Sequence, residues 1–184
     1  MASYPLLIFD ELQADELCDY IQKKHHSFAR HSTEMIHQYF VQMLHEATSE
    51  TSFVNEMHSH FLNLQNHLEQ HLKKEETVLF PFIRKMIHLK NGEGQGCFPL
   101  GVKVDNPLRI MSHEHEKMIH DLEKINIACS TFLASHQHSI TAKLCYVELM
   151  DLEEDLRKHF SLEEEILHPK LIELGKLIQE NLVH

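Results

Sequence analysis

HLKKEETVLFP at residues 71–81 and HFSLEEEILHP at residues 159–169 share one pattern, HxxxEExxLxP, at an offset of 88 residues. A further histidine, His25 or His115, stands 46 or 44 residues before the first histidine of each copy. Self-similarity at a fixed spacing indicates repeated structural units. We therefore interpret the chain as two copies of one hairpin. Each copy would carry a histidine on its first helix and an HxxxE pair on its second.

The apolar residues around both copies recur with the 3.6-residue period of amphipathic helices. Four such stretches predict helices at about residues 12–47, 51–90, 106–134 and 139–180. Pro81 interrupts the second stretch and is expected to kink it or shift its register. Most connections are short, so sequential helices should be antiparallel neighbours. The prediction is an all-α fold, an antiparallel four-helix bundle of two helical hairpins, forming a single domain over residues 1–184.

Charge and composition narrow the classes of partner. The chain has 17 Lys and Arg against 28 Asp and Glu, a formal charge of −11, which disfavours a nucleic-acid partner. No apolar run reaches the roughly 18 residues that cross a bilayer, so no membrane segment is expected. No signal peptide is expected either, and a cytoplasmic location follows as the prediction.

The four cysteines, one of them Cys97 on the Gly-containing loop at 91–101, form no CxxC pair and are expected to be reduced.

Histidine and glutamate four residues apart lie on the same face of a helix. In both copies that face is the apolar one, and His25 continues the stripe of Leu17 and Ile21. Burying a carboxylate without a partner destabilises the folded state by roughly several kcal/mol. Convergence of all these groups on metal ions would offset that cost for every one of them. The candidate metal ligands are His25, His71, Glu75, His115, His159 and Glu163.

The alternative interpretation of any one HxxxE pair is a surface ion pair. We apply it to Glu76, Glu164 and Glu165, which follow the candidate ligands directly and are expected to be solvated charges. The other histidines, including His26 and His168, are expected not to bind metal. Imidazole with carboxylate and without thiolate suits iron or manganese better than structural zinc. Two carboxylates could bridge two such metals.

Four segments carry a resemblance to a known family: HHSFAR at 25–30, HxxxE with LFP at 71–81, SHEHE at 112–116 and HxxxE at 159–163. Together they resemble the hemerythrin-like superfamily. More narrowly, they resemble the iron–sulfur cluster repair di-iron proteins, over about residues 12–172. The resemblance implies a non-haem centre of two iron ions, with an oxo bridge in its oxidised form. It implies that Glu75 and Glu163 bridge the two ions. The terminal ligands that it implies are His25, His71, His115 and His159.

The same family has a further histidine at the end of the first helix, where His45 stands here. Such a ligand would require the chain to fold back, because His45 lies about 30 Å along a straight helix from His25. Repair proteins of the family commonly carry a short cysteine-containing module ahead of the bundle. The sequence given begins almost at the first helix, so that module is not expected.

Two functions follow from these residues and the resemblance. The first is iron–sulfur cluster repair or iron handling under nitrosative or oxidative stress, with damaged iron–sulfur proteins as partners. The second is reversible binding, storage or sensing of dioxygen or nitric oxide. An oxidase-type di-iron enzyme is disfavoured, because such sites have more carboxylates than histidines and this set has four histidines to two glutamates. A conventional enzyme is therefore not expected.

Overall fold

The computed structural model describes residues 7–46, 51–92, 105–136 and 139–183. These residues form four long helical rods, numbered α1 to α4, after a single turn at Leu7–Asp10. Rod α1 comprises Ala14–Ile21, Gln22–His26 and Ser27–Glu46, and α2 comprises Thr51–Lys74, Glu75–Leu79 and Phe80–Lys90. Rod α3 is Asp105–Ser135, and α4 comprises Ile140–Leu162, Glu163–Leu167 and His168–Val183. The predicted Gly-containing loop and its Cys97 fall mostly outside the described residues.

The rods pack as a closed ring. Rod α1 contacts α2 and α4, and α3 contacts the same two rods from the other side. The prediction of an antiparallel four-helix bundle is confirmed. Ser139 begins α4 with a side-chain cap, because its hydroxyl oxygen accepts a hydrogen bond from the Ala142 N–H at 3.1 Å. None of the described helices is long and apolar enough to cross a lipid bilayer.

The core consists of two apolar clusters. One cluster includes Phe40, Phe61 and Leu122, and the other includes Ile21 and Phe80. Along each rod the boundary between the clusters carries buried histidine or glutamate side chains instead of apolar ones. The apolar layers on both sides therefore exclude water from a polar layer at the boundary.

Three π-helical turns interrupt the rods, at Gln22–His26, Glu75–Leu79 and Glu163–Leu167. In a π turn each N–H bonds to the carbonyl five residues earlier, which inserts one residue and rotates everything after it. The second and third turns end two positions before Pro81 and Pro169, respectively. A proline clashes with the carbonyl four residues before it and lacks an N–H, so a widened turn relieves both problems. The register shift expected at Pro81 takes this form.

Candidate metal centre

Six side chains in the polar layer form two groups that share both of their glutamates. Group A consists of His71, His115, Glu75 and Glu163, and group B of His26, His159, Glu75 and Glu163. Within each group the four potential ligand atoms lie within 4.8 Å of one another. All six residues are almost completely buried, at 2% exposure or less. Each of the four rods contributes at least one of them.

In group A the ligand atoms converge from α2, α3 and α4. His71 Nε2 lies 2.8 Å from Glu75 Oε1, and His115 Nε2 lies 3.3 Å from Glu163 Oε2. The two imidazoles also approach each other, with 2.8 Å between the Nε2 atoms of His71 and His115. Two nitrogens and two oxygens therefore surround one point.

Group B repeats this arrangement with the opposite oxygens. His26 Nε2 lies 3.1 Å from Glu75 Oε2, and His159 Nε2 lies 3.2 Å from Glu163 Oε1 and 3.9 Å from Glu75 Oε2. Each carboxylate thus directs one oxygen to each group. This is the arrangement of a carboxylate that bridges two metal ions.

The nitrogen and oxygen atoms of the two groups are better suited to binding cations than to hydrogen bonding with one another. Both oxygens of Glu75, Oε2 of Glu163 and Nε2 of His26 are buried, and although nitrogen and oxygen atoms approach to 2.8–3.3 Å, none of the four atoms makes a hydrogen bond of acceptable geometry among the described residues. A buried polar atom without a partner costs about 1–3 kcal/mol, and more when charged. Four such atoms in one layer are unusual in a folded protein. Metal ions at the two groups would remove this cost, and the nitrogen and oxygen donors suit iron or manganese.

The pKa values of the two glutamates are shifted in opposite directions. Burial and the neighbouring carboxylate of Glu163 raise the pKa of Glu75 to about 8. Burial acts in the same direction on Glu163, but His159 and His115 outweigh it and hold the pKa of Glu163 well below its usual range. Burial lowers the pKa of His159. Without metal, the glutamate pair therefore keeps one proton at neutral pH, which a cation would displace.

Carboxylates outside the groups orient three of the four imidazoles. His26 Nδ1 lies 2.7 Å from Glu76 Oε1, and His115 Nδ1 lies 2.7 Å from Glu164 Oε1. His71 Nδ1 lies 2.9 Å from Glu114 Oε2. Such contacts fix the Nδ1–H tautomer and leave Nε2 to bind metal. Glu164 is exposed, as predicted for a solvated charge. The prediction is wrong in leaving Glu76 and Glu164 without a role at the site, because each one accepts a hydrogen bond from an imidazole there.

Five of the six predicted ligands lie in these groups, and His25 does not. His25 Nδ1 is 3.0 Å from Asp155 Oδ2, and its ring stacks on His159 at 5.5 Å between centroids. His26 is the α1 member of the centre. The cause is the π turn, since the residue five positions after Ile21 is His26, whereas an α-helical period leads to His25. His45 belongs to neither group and is exposed near the end of α1.

A helical bundle with inward imidazoles and shared carboxylates is the arrangement found in metal-binding helical bundles. Residues 29–171 match the Hemerythrin HHE cation binding domain, and the chain belongs to this family. The resemblance predicted from the sequence motifs is thereby confirmed. The family binds metal cations, in agreement with the donor set described above.

Several curated relatives are named iron–sulfur cluster repair protein YtfE. The one from Edwardsiella ictaluri is 27% identical over 162 residues, covering 86% of this chain and 66% of the relative. Those from Pectobacterium atrosepticum and Escherichia coli O81 are 28% and 30% identical over 109 residues, which is 59% of this chain and 43% or 44% of the relative. The chain therefore spans between 43% and 66% of the length of these relatives.

Proposed function

We propose that this chain is a non-haem di-iron protein that serves iron–sulfur cluster repair or iron handling under nitrosative or oxidative stress. The observation that carries the proposal is the sharing of both glutamates between two four-atom groups. Group A would hold one iron with His71 and His115, and group B the other with His26 and His159. Glu75 and Glu163 would bridge them.

Iron at these positions would supply coordination sites for nitric oxide or dioxygen, because each group offers only four protein atoms. The chain's own residues support this use. Glu76, Glu114 and Glu164 hold three imidazoles in the metal-binding tautomer. The apolar clusters on both sides exclude water from the layer.

Delivery of iron to a damaged cluster requires that the site can lose its metal without collapsing. The glutamate pair is suited to this, because burial raises the pKa of Glu75 to about 8 and the vacated pair takes up a proton near neutral pH. That proton reduces the repulsion between Glu75 and Glu163. The names of the relatives support repair as the purpose of the delivery. Damaged iron–sulfur proteins would be the partners, and we propose a cytoplasmic location.

A second candidate function is reversible binding of dioxygen or nitric oxide. It is favoured by the aromatic rings against the site, since Phe160 stacks on His115 at 3.9 Å and Phe80 on His26 at 5.6 Å between centroids. Such apolar walls would protect a bound ligand from water.

Absorption spectra of anaerobically iron-loaded protein, before and after air is admitted, distinguish the two functions. The repair proposal expects irreversible conversion to an oxidised spectrum. It also expects transfer of iron to a purified iron–sulfur protein whose cluster has been damaged by nitric oxide. A Glu163→Ala variant that binds no iron is the control for free iron. A charge-transfer band that reverses on removal of oxygen, with no iron transfer, would favour the second function and refute the first.

A further inference from the structure

At one position that is buried in both copies of the repeat, one copy has an apolar residue and the other a polar one. Phe80 follows the π turn that starts at Glu75, and His168 follows the one that starts at Glu163. The backbone N–H of each donates to the carbonyl oxygen of its glutamate, at Phe80 to Glu75 and at His168 to Glu163. Both residues therefore stand one π turn beyond a bridging carboxylate, in equivalent places relative to the centre.

The two side chains border different groups. Phe80 lies over His26 of group B, with ring centroids 5.6 Å apart and planes at 21°. His168 lies alongside His115 of group A, with centroids 6.5 Å apart and planes at 16°. The surroundings of group A thus contain an imidazole where those of group B contain a phenyl ring.

His168 is 5% exposed, and its Nε2 is buried without a hydrogen-bond partner in the part of the chain that the structure describes. An imidazole ring carries at least one N–H donor in either of its protonation states. A buried donor without a partner destabilises the folded state, whereas an apolar ring of similar shape does not. Phe80 shows that this repeat accepts such a ring at the equivalent position.

We propose that His168 donates a hydrogen bond to a small exogenous ligand bound on the group A side of the centre. The proposal rests on the proposed function, because that ligand occupies an open position of the metal. Suitable ligands carry an acceptor atom, as do dioxygen, nitric oxide and small anions such as azide. The two metal positions are then inequivalent, and the ligand binds in preference at the metal held by His71 and His115.

Azide binding to the oxidised, iron-loaded full chain tests this inference. In His168→Phe, which places the residue of the first copy in the second, we expect two irons per chain and a dissociation constant for azide about tenfold higher. Tenfold corresponds to about 1.4 kcal/mol, the size of one hydrogen bond. His168→Gln keeps a donor and should restore the constant to within about threefold. The control is His120→Phe, since the His120 side chain is 65% exposed and its removal should change nothing.

Thermal unfolding of the iron-loaded, azide-free proteins separates a ligand contact from a structural role. His168→Phe should unfold at the same temperature as the wild type or higher, because it removes an unpartnered donor. A lower unfolding temperature, loss of iron, or unchanged azide affinity would each overturn the inference and leave the di-iron proposal intact. If the wild-type protein binds two irons but neither azide nor nitric oxide, the open coordination position is absent. That result would overturn the inference about His168 and leave the di-iron proposal intact, whereas a wild-type protein that binds no iron would overturn both.

Discussion

Replacement of His26 or of its neighbour His25 tests the register of the centre. His26 supplies one of the two imidazoles of group B, and its Nε2 lies 3.1 Å from Glu75 Oε2. His25 is outside both groups and contacts Asp155 instead. We expect His26→Ala to bind one iron per chain and His25→Ala to bind two, measured by metal analysis after anaerobic loading and desalting.

The size of the effect follows from mass action. A metal present at 100 times its dissociation constant stabilises the folded chain by about 2.7 kcal/mol per site. For a chain of this length, 1 kcal/mol shifts the unfolding temperature by about 2–4 °C. Two sites should therefore raise the unfolding temperature by roughly 10–20 °C over the metal-free protein. In His26→Ala about half of that increase should be lost.

The assay compares each variant with and without iron, so that damage to the apo-protein cancels. Calorimetry under anaerobic conditions gives the increase for wild type, His25→Ala and His26→Ala. The reverse result, in which His25→Ala loses iron and His26→Ala keeps two, would refute the register. Full loss of both irons in His26→Ala alone would show that the sites bind cooperatively and would keep His26 as a ligand.

Three more predictions concern the carboxylates and protons of the centre. Glu75 has an ordinary pKa of 4.5, and burial raises it to about 8 in the fold, so the stability of the apo-protein should fall as pH rises between these values. The apo Glu75→Gln variant should lack that fall. At pH 8 its free energy of unfolding, measured with urea, should exceed that of the apo wild type by up to about 5 kcal/mol. Equal free energies of unfolding at pH 8 would contradict the predicted direction of this pH dependence. Glu76→Gln and Glu164→Gln should each weaken iron binding about 10- to 100-fold in chelator competition, while exposed Glu165→Gln should not. Below about pH 6, protonation of the imidazoles should release iron in dialysis, and full retention at pH 5 would argue against histidine ligands.

Sequence patterns were sufficient for the architecture and for most of the centre. The 3.6-residue periodicity predicts the helices because each helix must bury one face. The repeated HxxxE places His71 with Glu75, and His159 with Glu163, because residues four apart share a face of any regular helix. A single histidine 44 residues upstream was enough for His115, since α3 contains no π turn among its described residues.

The partners of the imidazoles could have been found from the repeat alone. Glu76 and Glu164 occupy the same place in HxxxEE, and each pairs with the first-helix histidine of its own hairpin, His26 or His115. A second glutamate retained in both copies was therefore the available signal. Glu114 offered no such signal, because the residue that contacts it, His71, belongs to the other hairpin.

The sequence by itself determined a helical bundle with two inward HxxxE pairs, and hence the donor residues of a candidate metal site. Only the tertiary structure decided which of two adjacent histidines faces the centre and how the glutamates divide their oxygens. The physical reason is that a π turn is locally less favourable than an α turn and forms where packing and ligand geometry demand it. Local periodicity assumes a regular helix, so it continues from Ile21 to His25. The inserted residue at Gln22–His26 rotates His26 into that place instead.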